Sequence, residues 1–178
     1  MFKNLKILTI ILILFFPSKQ VFSEDIPVIV IAPSKKAQSI STVGTSVVVF
    51  DENDIESSNE YFLQDVLNFS SPGLNFNQNG GHGTFSGIQL RGLPKRYSTV
   101  YIDGIKMSDP STISNDYYFD DILKKQISRV EILRGNQSSI YGSGAMGGTI
   151  NITTKRGKPG FQKNLSYNTA SHKTHNLA

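Results

Sequence analysis

The sequence predicts a small domain that mixes short β-strands with short helices. Three observations lead there. Arg129 to Leu133 and Thr149 to Thr154 alternate apolar and polar residues with the period of two that a strand requires. Asp103-Gly104 sits between two such runs, Thr99 to Ile102 and Ile105 to Met107, and Asp-Gly at that place marks a two-residue hairpin whose type I′ turn needs positive φ twice. Phe62, Leu63, Val66, Leu67 and Phe69 recur at helical spacing before Ser71-Pro72-Gly73 stops the run.

The elements follow in order from the start of the chain. Lys3 and Lys6 precede the apolar run from Ile7 to Phe16, and small or apolar residues reach Ser23. This is the pattern of a secretory signal cut after Ser23, and ten apolar residues fall short of the roughly 20 a spanning helix needs. Without residues 1–23 the chain loses Lys3, Lys6 and Lys19 and no acid, so the formal charge of +4 falls to +1. A charge that small carries no nucleic-acid signal. With no cysteine in 178 residues there is neither a disulfide nor a thiol nucleophile.

Val28 to Ile31 are apolar and strand-prone between Pro27 and Pro33, and two readings stay open there. The segment is either a strand docked on its own domain or a peptide offered to another protein for strand addition. From Thr45 the globular body begins. Val47 to Phe50 form a buried strand, Asp51 caps a short helical turn through Ile55, and Ser57 with Glu60 has capping-box spacing for the next helix. Leu74 to Asn77 and Ile88 to Leu90 are further strands around the polar, glycine-rich loop of residues 77–87. Phe119 to Gln126 is expected as a short helix, with Asp120 and Asp121 near its start and Lys124 and Lys125 near its end.

Gly142, Gly144 and Gly147 match G-x-G-x-x-G, the fingerprint that binds a dinucleotide at a helix N-terminus. The β-branched run Thr149 to Thr154 follows instead of a helix. The nucleotide-dependent enzyme therefore stays a minor alternative, and Gly92, Gly104, Gly135, Gly142, Gly147 and Gly148 are read as structural. No nucleophile stands with a base and no carboxylates pair at a catalytic spacing, so no enzyme, cofactor or metal is expected. His82, His172 and His175 lack a third ligand in sequence. The tail from Phe161 alternates through Leu165 and Tyr167, as a transmembrane barrel strand does.

Five ordered blocks carry a resemblance: VVVFDENDI, LQDVLNFSSPGLNF, IQLRGL, TVYIDGIKM and ISRVEILRGNQSSIYGSGAMGGTINITTK. From about Ile26 to Gly160 the chain resembles the plug domain of TonB-dependent outer-membrane receptors, nearest to those for vitamin B12 and siderophores. The resemblance implies an α+β plug, a small mixed sheet with short helices, inside a barrel of roughly 22 strands. It divides the chain into a signal (1–23), a TonB box with flexible linker (24–44), the plug (45–160) and the truncated start of a first barrel strand (161–178).

The box would be Ile26, Pro27, Val28, Ile29, Val30, Ile31 and Ala32, which tips the open choice towards strand addition to TonB. Ile31 stands where the commoner form has threonine. Arg91 and Arg134, each in an R-G motif, would latch the plug to carboxylates of its own barrel, with Glu131, on the strand leading to Arg134, in the same latch and pairing with Arg129 or Arg91. Two polar loops would carry apices for a small chelate, cobalamin or a ferric siderophore: Asn79, His82 and Phe85 in one, Lys106, Asp109, Tyr117 and Tyr118 in the other. These loops would face outward, and the plug would lie in the barrel lumen of the outer membrane, facing the periplasm. Only 18 residues follow Gly160, far fewer than a barrel needs, so the expectation is a truncated frame. The alternative is a free periplasmic module that binds TonB or a small ligand.

Overall fold

A computed structural model describes residues 28–81, 84–113, 117–119, 122–157, 159–160, 163, 165, 167–170 and 174–177. The signal sequence, Ile26, Pro27, His82, Asp120, Asp121, Phe161 and His172 lie outside the described residues. No helix among the described residues is long and apolar enough to cross a membrane.

The centre is a five-stranded sheet in the order β3 (Ser46–Phe50), β8 (Ile127–Arg134), β9 (Gly148–Thr154), β6 (Ser98–Ile102), β7 (Ile105–Met107). All neighbours run antiparallel except β6 and β9. Register puts side chains of one parity in rows across the sheet. Val48, Ile132, Ile150, Val100 and Met107 form one row, with Phe50, Val130, Ile152, Ile102 and Ile105 beside it. Phe50, Val100, Val130, Ile132, Ile150 and Ile152 of these rows are buried in the main core, whereas Ile105 at the sheet edge is exposed. Helix α1 (Glu52–Ser57) gives Ile55, helix α2 (Leu63–Ser70) gives Leu63 and Leu67, and the separate hairpin of β4 (Leu74–Gln78) and β5 (Ser86–Leu90) gives Leu74, Ile88 and Leu90 to the same cluster.

The opposite face is also covered, by Ala32, by Tyr141 of helix α3 (Ser138–Tyr141) and by Ala145, packed on Leu133. The strands around the glycine turns therefore do not each bury a single side. β8 lies between β3 and β9, so Val130, Glu131, Ile132 and Leu133 are all buried. By contrast β3 is an edge strand on which Phe50 alone is fully buried.

Several local expectations hold. Asp103 and Gly104 take φ of 49° and 83°, the two positive values that the I′ turn needs. Asp51 caps α1. The capping box, however, is formed by Asp51 and Asp54 and not by Ser57 and Glu60. Ser57 ends α1 and bonds back to Asp54, and α2 starts after Phe62 with no side-chain cap.

Among the described residues of the helix expected over 119–126, Leu123 is extended and only Lys124–Gln126 turn, as a single 3₁₀ turn. Tertiary pairing outweighs the local charge pattern. Leu123 makes a β-bridge with Phe62, Leu63 donates to the Ile122 carbonyl at 2.9 Å, and Phe119 is fully buried. At the C-terminal end β10 (Tyr167–Ala170) and β11 (Thr174–Leu177) pair as a hairpin, which replaces the single strand expected there. His175 bonds the Tyr167 hydroxyl at 2.9 Å, and no cluster of metal-binding side chains occurs among the described residues.

Gly148 has a reason beyond turn-making. Its φ is +148°, and a Cβ there would lie 2.2 Å from the Leu133 carbonyl oxygen and 2.8 Å from Leu90 Cδ1. Gly147 is close-packed as well, its absent Cβ 3.1 Å from the Tyr97 carbonyl. The glycines thus let β9 lie against β8 and the end of β5, and β9 follows them where a nucleotide fold would place a helix.

Candidate functional site

Three places bring the sequence-selected residues together. At the N-terminal side, β1 (Ile29–Val30) pairs with β2 (Gln38–Ser39), so residues 29–39 of the stretch read as box and linker form a hairpin. Apolar residues alternate in it as a strand demands. Val30 and Ala32 are buried, whereas Val28, Ile29 and Ile31 are about half exposed. The Glu131 carboxylate accepts the N–H of Ile31 at 3.0 Å and of Ala32 at 2.7 Å. Arg129 Nε donates to Glu131 at 2.8 Å and its Nη2 donates to the Ile29 carbonyl. The Tyr141 hydroxyl donates to the Ala32 carbonyl. Burial pushes the Tyr141 phenol up, and the negative charge of Glu131 adds to that, so the hydroxyl stays protonated and able to donate.

The second place is an arginine pair. Arg91 follows β5 in the left-handed region at φ 54°, with Gly92 next at 73°, and its N–H bonds the Gly73 carbonyl at 2.9 Å. That sharp exit carries the Arg91 side chain over Gly135, where a Cβ would come within 3.6 Å of Nη1. Arg134 stands just before, at the end of β8. Its Nη2 donates to Ser71 Oγ at 2.5 Å, and its buried Nε has no hydrogen-bond partner among the described residues. Desolvation, and then the neighbouring charge of Arg91, lower the Arg134 pKa. Two guanidiniums thus share one locality without a carboxylate bonded to Arg134 among the described residues. Glu131 does not join them. It differs from Arg134 by an odd number of positions on one strand, so it points to the opposite sheet face and pairs with Arg129.

The third place is an apical cavity of about 330 Å³ lined by Asn77, Asn79, Phe85, Gln89, Lys95 and Tyr118. Phe85 and Tyr118 rings lie 4.6 Å apart, and Lys95 Nζ sits 4.8 Å over the Tyr118 ring. Asn79, Phe85 and Tyr118, from two different loops, are therefore brought together. Lys95 joins them through its approach to Tyr118, a contact 23 residues away. The other selected residues that are described lie apart from this cavity. Tyr117 turns inward onto Phe119 with ring centres 5.4 Å apart, Lys106 belongs to β7, and Asp109 accepts from Ser111 N–H and Oγ in its own turn.

Comparison with known proteins accords with this architecture. The sequence matches the TonB-dependent Receptor Plug Domain family over residues 39–149, and the chain belongs to that family. Among solved structures it is similar to the siderophore receptor PiuA from Acinetobacter baumannii, 27% identical with a TM-score of 0.53 over 69% of this chain and 16% of that one. It is also similar to a variant of the ferric enterobactin receptor PfeA from Pseudomonas aeruginosa in complex with enterobactin, 23% identical, TM-score 0.50, over 65% of this chain and 18% of that one. The ferric yersiniabactin uptake receptor FyuA from Yersinia pestis is 30% identical, TM-score 0.48, over 63% and 17%. The chain spans less than a fifth of the length of each. Family membership places it with receptor plug domains and not with enzymes.

Proposed function

We propose that the chain is the plug portion of a TonB-dependent outer-membrane receptor that takes up a scarce nutrient chelate, gating the barrel and contacting TonB through residues 26–32. The observation that carries this reading is the arginine pair. A desolvated Arg134 beside Arg91, with its Nε unpartnered among the described residues, is an electrostatic surface awaiting acids from outside the domain. Carboxylates on a barrel wall would supply them. A ferric siderophore is favoured over cobalamin as cargo, since PiuA, at 27% identity, is a siderophore receptor. At the apical cavity Lys95 offers a cation, Phe85 and Tyr118 offer ring faces, and Asn77, Asn79 and Gln89 offer amide hydrogen bonds, a set suited to an anionic chelate. The signal read over residues 1–23 would deliver it to the outer membrane.

A chimeric receptor tests the proposal. Residues 26–157 replace the corresponding segment of PiuA, and uptake of ferric siderophore is followed in iron-limited cells with and without TonB. The proposal expects TonB-dependent uptake that falls at least tenfold on replacing Arg91 and Arg134 together by alanine. Correctly inserted chimeras in which that double substitution changes nothing would refute the latch, and TonB-independent leakage would refute gating.

A further inference from the structure

Asn79-Gly80 is the one Asn-Gly pair in the sequence, and it stands directly after β4. Both residues are exposed, and Asn79 lines the apical cavity with Phe85, Lys95 and Tyr118. The Asn79 N–H bonds the Phe85 carbonyl at 3.2 Å, which fixes the backbone before the pair. Past that point nothing among the described residues holds the reacting groups. The Asn79 carboxamide makes no hydrogen bond to them and neither does the Gly80 N–H, although the next carbonyl, that of Gly81, accepts from Gln78 Nε2 and Thr84 Oγ1 at 2.8 Å each. Glycine has no Cβ to shield its nitrogen, so the Asn79 side chain can rotate until Cγ meets Gly80 N, and an attack within one chain has a high effective concentration. Asp103-Gly104 shows the contrasting arrangement. Its carboxylate is held by the Thr154 N–H at 2.9 Å and Oγ1 at 2.6 Å. Asn136 is tied as well, its Oδ1 accepting the Ser138 N–H at 2.9 Å, and glutamine follows it.

We propose that Asn79 is a self-modification site: it deamidates through Gly80 and so places a carboxylate in the apical cavity. Gly80 N gives up its proton and bonds to Asn79 Cγ. The carboxamide nitrogen takes up a proton and leaves as ammonia, and a five-membered cyclic imide remains. Water then opens the ring. Addition at Cγ breaks the new Cγ–N bond and gives aspartate; addition at the Asn79 backbone carbonyl breaks the original peptide C–N bond and gives isoaspartate, whose main chain runs through Cβ and Cγ. One water is consumed and one ammonia released, and no oxidant or cofactor is needed. Either product adds a negative charge to the cavity that Lys95 also lines. The consequence for cargo rests on that cavity taking an anionic chelate, as proposed above, because the added charge then offsets the Lys95 cation and repels the chelate. The five-stranded sheet is untouched, since β4 and β5 form a separate hairpin.

Peptide mass spectrometry of the full chain after incubation at mildly alkaline pH tests the chemistry, through the mass gained on exchanging NH2 for OH at residue 79. Conversion there is expected to run about tenfold or more ahead of Asn75, Asn77 and Asn136, to quicken as pH rises, and to give both aspartate and isoaspartate. Gly80→Ala should slow it about tenfold. Its Cβ would meet only the Thr84 side chain, at 3.2 Å, and its φ lies outside the left-handed region, so the loop is kept. Asn79→Gln, which must close a six-membered ring, should slow it further and carries the test if Gly80→Ala does not fold. Conversion no faster than at Asn75 and Asn77, or unchanged by these substitutions, overturns the site. For the consequence, Asn79→Asp in the PiuA chimera is compared with Asn79→Gln, and uptake of an anionic ferric siderophore is expected to be several-fold lower with aspartate. Equal uptake overturns the electrostatic consequence. Absence of uptake by every chimera, the unsubstituted one included, overturns the uptake reading while leaving the deamidation standing.

Discussion

Replacing Gly148 by alanine should cost more than any other single methyl added to the glycine-rich turn. A Cβ at 148 would stand 2.2 Å from the Leu133 carbonyl oxygen, a backbone atom of the paired strand that no rotamer change can move. Strands β8 and β9 must part by the better part of an ångström at the Arg134–Gly148 pair, or Gly148 must leave its φ of +148°. A non-glycine residue held in such a region costs about 1–3 kcal/mol. Each ladder hydrogen bond lost adds about 0.5–1.5 kcal/mol. The expected loss is about 3 kcal/mol, a large part of the roughly 5–15 kcal/mol that holds a domain folded. Gly144→Ala is the control, since its Cβ meets the Thr99 methyl at 3.2 Å without positive φ, and should cost about 1 kcal/mol or less. Urea unfolding followed by circular dichroism measures both. The comparison also separates two readings of the motif, because a dinucleotide fingerprint would depend on Gly142, Gly144 and Gly147 and be indifferent to Gly148. Equal stability of Gly148→Ala and wild type, or a Gly144→Ala loss as large, would refute the packing argument.

Two further predictions concern charge. Arg134→Met in the chain by itself should leave stability unchanged or raise it by about 1 kcal/mol, because a desolvated guanidinium with an unpartnered Nε is exchanged for an apolar side chain; thermal or urea unfolding decides, and a clear destabilisation contradicts the reading. Asp103 accepts hydrogen bonds from Thr154 Oγ1 at 2.6 Å and Thr154 N–H at 2.9 Å, and these hold its pKa below the ordinary 3.8. A carboxylate depressed on folding stabilises above its unfolded pKa, and that contribution is lost as pH falls through the folded value. Asp103→Asn keeps a residue that tolerates φ of 49°, so its stability should fall less steeply than wild type below about pH 4. Parallel acid profiles for the two proteins would show that Asp103 contributes nothing there.

What could be read from the sequence was whatever a few neighbouring residues decide. Asp103-Gly104 fixes its turn through local φ alone, and Val130, Ile132, Ile150 and Ile152 reach the core because alternation fixes which face they occupy. Distant partners decided the rest. Asp120, Asp121, Lys124 and Lys125 carry a helix-like charge pattern, yet Leu123 pairs with Phe62, some sixty residues earlier, and only a 3₁₀ turn follows it. Glu131 bonds Ile31 and Ala32 about a hundred residues away, a contact for which no local signal exists. Arg91 and Arg134 were found through their R-G motifs. Their shared locality became visible only once Arg91 was seen over Gly135. Lys95 belongs with the apical residues for the same kind of reason, since β4 and β5 must first pair to set Asn77 and Asn79 near it.

The central claim is that this plug passes force from TonB through the segment at its N-terminal side. The most direct measurement is a titration of the chain against the periplasmic domain of TonB, with Val28→Pro and Ile29→Pro as controls, because proline removes a strand donor and restricts the backbone. The account predicts saturable binding by wild type and none by the two proline variants. Absence of binding by wild type, or binding that the prolines leave unchanged, would contradict it and leave β1 as a strand of the domain itself.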